Sequence, residues 1–147
     1  MIHQLPDLAA MEALGARIAA RLQPGDVVAL EGDLGSGKTT LARAIIAALG
    51  HEGEVPSPTF TVLETYCAPP LRLPVVHADF YRIDDPSELS EIGLDDYREG
   101  AALIAEWPQK AGGFATEPAC LSIMLEIVGQ GRRAIVQPGN DWLGRMP

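Results

Sequence analysis

Val27-Val28-Ala29-Leu30-Glu31-Gly32-Asp33-Leu34-Gly35-Ser36-Gly37-Lys38-Thr39-Thr40 is the stretch that decides the fold. Val27 to Leu30 is a short apolar run and reads as a buried strand. A glycine-rich loop follows. Lys38 through Leu49 then reads as a helix, with Leu41, Ile45 and Leu49 on its inner side and Gly50 closing it. Gly32-x-x-x-x-Gly37-Lys38-Thr39 matches the P-loop pattern in full. The chemistry explains the spacing. Glycines let successive backbone N–H groups turn inward around a phosphate without Cβ clashes. The helix that starts at Lys38 aims the positive end of its dipole at the same place. The Lys38 ammonium reaches the outer phosphates, and the Thr39 hydroxyl is of the type that ligates Mg²⁺. Nucleotide binding is the expectation.

The flanking sequence extends this pattern. Leu8, Met11, Leu14, Ile18 and Leu22 step by three or four and mark one face of a helix. Asp7 is placed to cap its start, and Pro24-Gly25 ends it. Phe60 to Tyr66 mixes β-branched and aromatic residues and predicts a strand. Val75 to Ala78 is a second buried strand with Asp79 at its end, and Ala101 to Ala105 a third, ending in Glu106. Between them, Asp84 to Glu99 carries seven acids and one base, Arg98, with short helices predicted at Glu88–Ile92 and Leu94–Tyr97. Leu121–Val128 and Ala134–Gln137 alternate about Gly129-Gln130-Gly131 and predict a terminal hairpin. Alternating strands and helices imply an α/β layered domain with a largely parallel sheet. The antiparallel tail is expected to extend one edge.

Composition excludes several classes. The 147 residues fit one domain, 1–147. Acids outnumber bases 20 to 11, for a net charge of −9. That balance argues against coating nucleic acid or an anionic membrane by general charge. Only two of the eleven bases are lysines, Lys38 and Lys110. No secretory signal is visible at Met1–Asp7, and no run approaches the ~20 apolar residues of a membrane span. Cys67 and Cys120 lack metal-ligand spacing and read as a buried, reduced pair in a cytoplasmic protein. His3, His51 and His77 do not cluster with them, so no zinc site is expected.

A P-loop alone hydrolyses nothing: the cation needs a carboxylate and the attacking water needs orientation. Ligands of an open α/β sheet sit at the carboxyl ends of its parallel strands. Asp79 and Glu106 are therefore expected on the same edge as the P-loop. Asp79 fits Mg²⁺ binding through water. Glu106 fits either a direct metal contact or a general base. Ser57 and Thr59 lie in a proline-punctuated loop where a mobile segment of P-loop proteins meets the γ-phosphate. Trp107 either packs the site, faces a partner or is plain core.

The lone asparagine, Asn140, is followed by Asp141-Trp142, so the guanine-reading Asn-Lys-x-Asp motif is absent. A small-molecule kinase is the alternative. Such kinases carry an arginine-bearing lid and basic acceptor sites. Between Ile83 and Gly131 the only bases are Arg98 and Lys110. The two carboxylates and the missing lid favour a switch that turns ATP over when a partner completes the site.

Four segments, in order, carry a family resemblance: Gly32 to Thr40, Ser57-Pro58-Thr59-Phe60-Thr61, His77-Ala78-Asp79-Phe80-Tyr81-Arg82-Ile83 and Glu106-Trp107-Pro108. Together, with similar spacing over Asp7 to about Arg133, they closely resemble the bacterial TsaE family. The resemblance implies an α/β, three-layer P-loop NTPase domain with a largely parallel central sheet and a C-terminal antiparallel hairpin. It implies a Mg²⁺-dependent ATPase, weak alone and stimulated by its partners TsaB and TsaD. The process is threonylcarbamoyladenosine formation beside the anticodon of tRNA. TsaD transfers the group, and tRNA is met indirectly through the complex. Carried onto this chain, Gly35, Ser36, Gly37, Lys38, Thr39 and Thr40 bind phosphates, Thr39 and Glu106 contact Mg²⁺, and Asp79 stands in the Walker B place. Thr59 lies in the switch-like loop. Asp7 and Arg132 are the expected nucleotide contacts from the N-terminus and the hairpin. Ala78 and Ala105 depart from bulkier residues common in the family, which bears on how those strands pack.

Overall fold

A computed structural model describes residues 1–58 and 62–147. In chain order the elements are β1 (Ile2–Leu5), α1 (Leu8–Arg21), β2 (Val27–Glu31), α2 (Lys38–Ala48), β3 (Leu63–Tyr66), β4 (Val75–Asp79), α3 (Glu88–Ile92), α4 (Leu94–Arg98), β5 (Ala102–Glu106), β6 (Cys120–Val128) and β7 (Gly131–Pro138). The strands form one sheet in the order β1-β7-β6-β2-β5-β4-β3. The central four, β6, β2, β5 and β4, run parallel. The outer pairings, β6 with β7, β7 with β1 and β4 with β3, are antiparallel.

Burial follows from this order. β2 lies in the middle with helices or loops over both faces, so Val27 to Leu30 are all buried. That is the continuous apolar run expected of a strand covered on both sides. One face packs against α1 and α2 through Leu14, Ile18, Leu41, Ile45 and Ile46. Gly15 permits the close approach of the two helices: a Cβ there would lie 2.6 Å from the Ala44 Cβ. The Asp7 side chain accepts from the Ala10 N–H at 2.9 Å and caps α1 as expected. The Arg72 guanidinium donates to the carbonyls of Ala19 and Leu22 and closes its other end. The opposite face packs Val27, Ala29, Val76, Leu94 and Leu103 with Phe80 and Phe114. Ala78 and Ala105 are register partners on this face, both fully buried in the cluster that holds the two phenylalanines.

Several expectations need correction. The C-terminal hairpin is antiparallel and extends one edge of the sheet, as expected; what the sequence did not indicate is its register. β6 joins the parallel core beside β2, and only β7 and β1 lie beyond it. β1 had no sequence signal. Of the strand expected over 60–66, Leu63–Tyr66 is a strand, and residues 60 and 61 lie outside the described residues. α2 stops at Ala48, with Leu49 as its cap. The cysteines are not a buried pair: Cys120 is buried and Cys67 exposed. Among the described residues, no helix is long and apolar enough to cross a membrane.

The C-terminal residues lock onto the frame. Trp142 is fully buried, and its Nε1–H donates to the Ala119 carbonyl at 2.8 Å. Arg145 stacks 4.2 Å above that indole and donates to both oxygens of buried Asp26, at 2.7 and 2.9 Å. The Gln23 N–H also donates to Asp26, at 2.7 Å.

Candidate nucleotide site

The site assembles at the carboxyl ends of β2, β4 and β5, where α2 begins. Residues of a strand alternate faces. His77 and Asp79 of β4 and Ile104 and Glu106 of β5 thus share the face that α2 covers. The parallel register sets Asp79 directly beside Glu106, and Glu106 beside Leu30 of β2. Two carboxylates far apart in sequence thereby meet the start of the P-loop helix.

The loop is held from several sides. Gly37 is the N-cap of α2, in the left-handed region at φ 106°. A Cβ there would come 2.8 Å from the Met11 Cε. No side chain caps α2 and no acid sits in its first turn. Its first N–H groups, which lack intrahelical acceptors, are left for an anion. Arg132, from β7, donates through Nε to the Ser36 carbonyl at 3.1 Å and through Nη2 to the Gly35 carbonyl at 3.0 Å. In a trans peptide the C=O and the following N–H point opposite ways. Fixing the Ser36 carbonyl on Arg132 therefore turns the Gly37 N–H away from it.

Lys38 is buried. Its Nζ donates to the carbonyls of Gly32 and Asp33 at 2.7 and 2.9 Å and lies 4.4 Å from the centre of the Trp107 ring. Desolvation pushes the Lys38 ammonium below its usual range, against the opposing pull of Glu106, Asp79 and Asp33. A phosphate offers this ammonium a stronger acceptor than either carbonyl. Trp107 itself is half-buried in the left-handed region at φ 55°, with its ring 5.0 Å from that of Tyr81. It thus packs against Lys38 and Tyr81 at the site and is not plain core.

The carboxylates complete the corner. The Thr39 hydroxyl donates to Glu106 Oε1 at 2.7 Å. Glu106 is buried, and its Oε2 lies 2.6 Å from Nε2 of the fully buried His77. Asp79 Oδ1 accepts from the Tyr81 N–H at 3.0 Å. Burial raises the Asp79 carboxyl above its usual range, and the neighbouring Glu106 adds to the rise. Two carboxylates and a hydroxyl are hard oxygen donors, the set that suits Mg²⁺. Among the described residues no three His, Cys, Asp or Glu side chains converge as a cage. Mg²⁺ is usually held by one or two carboxylates with phosphate and water, which fits this corner.

A cleft of about 200 Å³ adjoins the loop, and Asp7, Met11, Gly37, Thr40, Gly131 and Arg132 are among its walls. Asp7 and Arg132, from opposite ends of the chain, thus border one cavity. Thr59 lies outside the described residues, and so does that part of the switch reading; Ser57 is half-buried. Sequence reasoning missed His77. Its i, i+2 spacing to Asp79 on a strand, which puts both on one face, was the available signal.

Comparisons with known proteins accord with this architecture. A family model described as threonylcarbamoyl adenosine biosynthesis protein TsaE matches residues 5–135. A TsaE of Haemophilus influenzae is 37% identical over 123 residues, 80% of this chain and 77% of the relative. One of Rickettsia conorii is 33% identical over 133 residues, 90% of this chain and 74% of the relative. The crystal structure of Bacillus subtilis YdiB superposes with a TM-score of 0.76 at 29% identity, covering 97% of this chain and 88% of that one.

Proposed function

The chain belongs to the TsaE family of tRNA threonylcarbamoyladenosine biosynthesis proteins, and on that footing we propose that it is the ATP-binding and ATP-hydrolysing subunit of that process. It works with TsaB and TsaD and leaves group transfer to TsaD. The observation that carries the reading is the convergence of Lys38, Thr39, Asp79 and Glu106 at one corner of the sheet.

Each residue has a part that follows from its surroundings. Gly35 to Thr40 receive the phosphates on backbone N–H groups and the dipole end of α2. Lys38 leaves the carbonyls of Gly32 and Asp33 for a phosphate oxygen. Thr39 and Glu106 would hold Mg²⁺, with Asp79 beside Glu106 as a further carboxylate that would act through water. When bound, the cation would neutralise charge that develops on the phosphate oxygens. Arg132 keeps the loop in its receiving shape, and Asp7 and Arg132 border the nucleoside side. Thr59 supplies the switch-like contact near the γ-phosphate.

Between Ile83 and Gly131 the only bases are Arg98 and Lys110, which supports hydrolysis over transfer to a small anionic acceptor. Arg98 is engaged by Glu117, at 2.6 and 3.2 Å through its two terminal nitrogens. The net charge of −9 supports indirect contact with tRNA. The test is ATP turnover by the chain alone and with TsaB and TsaD. Strong stimulation is expected. Phosphate transfer to a small acceptor with no partner effect would favour a kinase instead.

A further inference from the structure

His77 is a buried polar group to which the proposed reaction gives no part. It is fully shielded from solvent on β4. A carboxylate only accepts, so the ring Nε2–H donates to Glu106 Oε2 across 2.6 Å. The other oxygen, Oε1, accepts from the Thr39 hydroxyl. Each oxygen of Glu106 is thus held by a different element, β4 on one side and α2 on the other. Among the described residues, the second ring nitrogen, Nδ1, is buried with no hydrogen-bond partner. A buried polar atom without a partner destabilises a core. An apolar side chain would fill the space without that cost. What the ring adds is its grip on Glu106.

We propose that His77 is a positioning residue of the nucleotide site: its Nε2–H fixes the Glu106 carboxylate so that Oε1 stays presented to Thr39 at the start of α2. The inference rests on reading Glu106 as a carboxylate of the ATP site. It goes further in assigning the orientation of that carboxylate to a side chain that touches neither nucleotide nor cation. Without the imidazole, Glu106 keeps its place in the strand but loses one of its two fixed oxygens.

The test compares His77→Leu, which removes the donor, with His77→Gln, which keeps an N–H at similar reach. With Mg²⁺, TsaB and TsaD present, His77→Leu is expected to lower kcat for ATP about ten- to a hundredfold, the loss typical of removing an orienting partner. ADP affinity measured by calorimetry without Mg²⁺ should stay within about twofold, because phosphate contacts are untouched. His77→Gln should restore most of the turnover. Nitrogen NMR of the wild-type side chain gives a readout independent of activity and of how the variants fold. It should show a protonated Nε2 whose resonance moves in Glu106→Gln. Wild-type turnover by His77→Leu beside an inactive Glu106→Gln would overturn the proposal. So would a His77→Gln variant as impaired as His77→Leu, or a bare Nε2. Should Glu106→Gln itself turn over normally, the reading of the ATP site fails first, and that failure is seen separately.

Discussion

The Thr39 hydroxyl and the Glu106 carboxylate meet at 2.7 Å although 67 positions separate them in the chain. One belongs to the first turn of α2 and the other ends β5. The contact ties the phosphate loop to the acidic corner, so the helix and the sheet share one site. Replacing Thr39 by Val keeps the shape but removes the hydroxyl. We expect nucleotide binding without Mg²⁺ to survive in Thr39→Val and the Mg²⁺-dependent gain in affinity to fall by about tenfold or more. Calorimetric titrations with and without the cation measure both.

On the proposed reading, Lys38→Ala deletes the principal charge offered to the outer phosphates. Charge-assisted bonds contribute about 1.5–3 kcal/mol each, so ATP affinity should fall by at least about tenfold. Titration with ATP checks this, and near-normal affinity would refute the role.

Asp79 gives a prediction whose sign depends on pH. Its folded-state pKa is raised, chiefly by burial and further by Glu106. A raised carboxylate contributes stability below its unfolded value, near 3.8, and loses it as pH rises through the folded value. At neutral pH the ionised side chain therefore destabilises the nucleotide-free fold. Asp79→Asn should melt higher than wild type at pH 7, and the two should converge below about pH 4. The variant should gain less thermal stability from Mg²⁺ with ATP than wild type does. Melting curves across pH, with and without ligand, decide it.

Arg132→Ala removes the side chain that holds the Gly35 and Ser36 carbonyls. The loop then has more conformations to surrender on binding. We expect KM for ATP to rise about tenfold with kcat little changed, the signature of lost uniform binding. Steady-state kinetics with the partner proteins separate the two constants.

Arg145→Ala tests the C-terminal lock, far from the chemistry. Asp26 is buried, and removing Arg145 leaves its charge with the Gln23 amide. Breaking a buried pair from one side costs about 3 kcal/mol or more. Urea denaturation should show that loss, with ADP affinity retained by the folded fraction.

The legible features were those that a few consecutive residues determine. Val27–Leu30 and the glycine spacing after it announce strand, loop and helix because each signal is local. Asp79 and Glu106 were legible because strand ends of a parallel sheet share an edge. β1 was not, since Ile2-His3-Gln4-Leu5 has little pattern and forms a strand by pairing with β7. The place of β6 was hidden for a related reason. A hairpin is a local feature, but its docking parallel to β2 depends on the whole topology. His77 was passed over because its partner Glu106 is 29 residues away, and neither residue carries a motif that names the other. Arg132 came from the family resemblance; its hold on the loop carbonyls, 96 and 97 positions away, emerges only from the folded chain.

On the proposed function, Glu106 serves turnover of ATP rather than its capture. The most direct measurement is the ATPase rate of Glu106→Ala with TsaB and TsaD present, set beside its ATP affinity. Appreciable binding with hydrolysis lost is the expected result. Hydrolysis at the wild-type rate would contradict it.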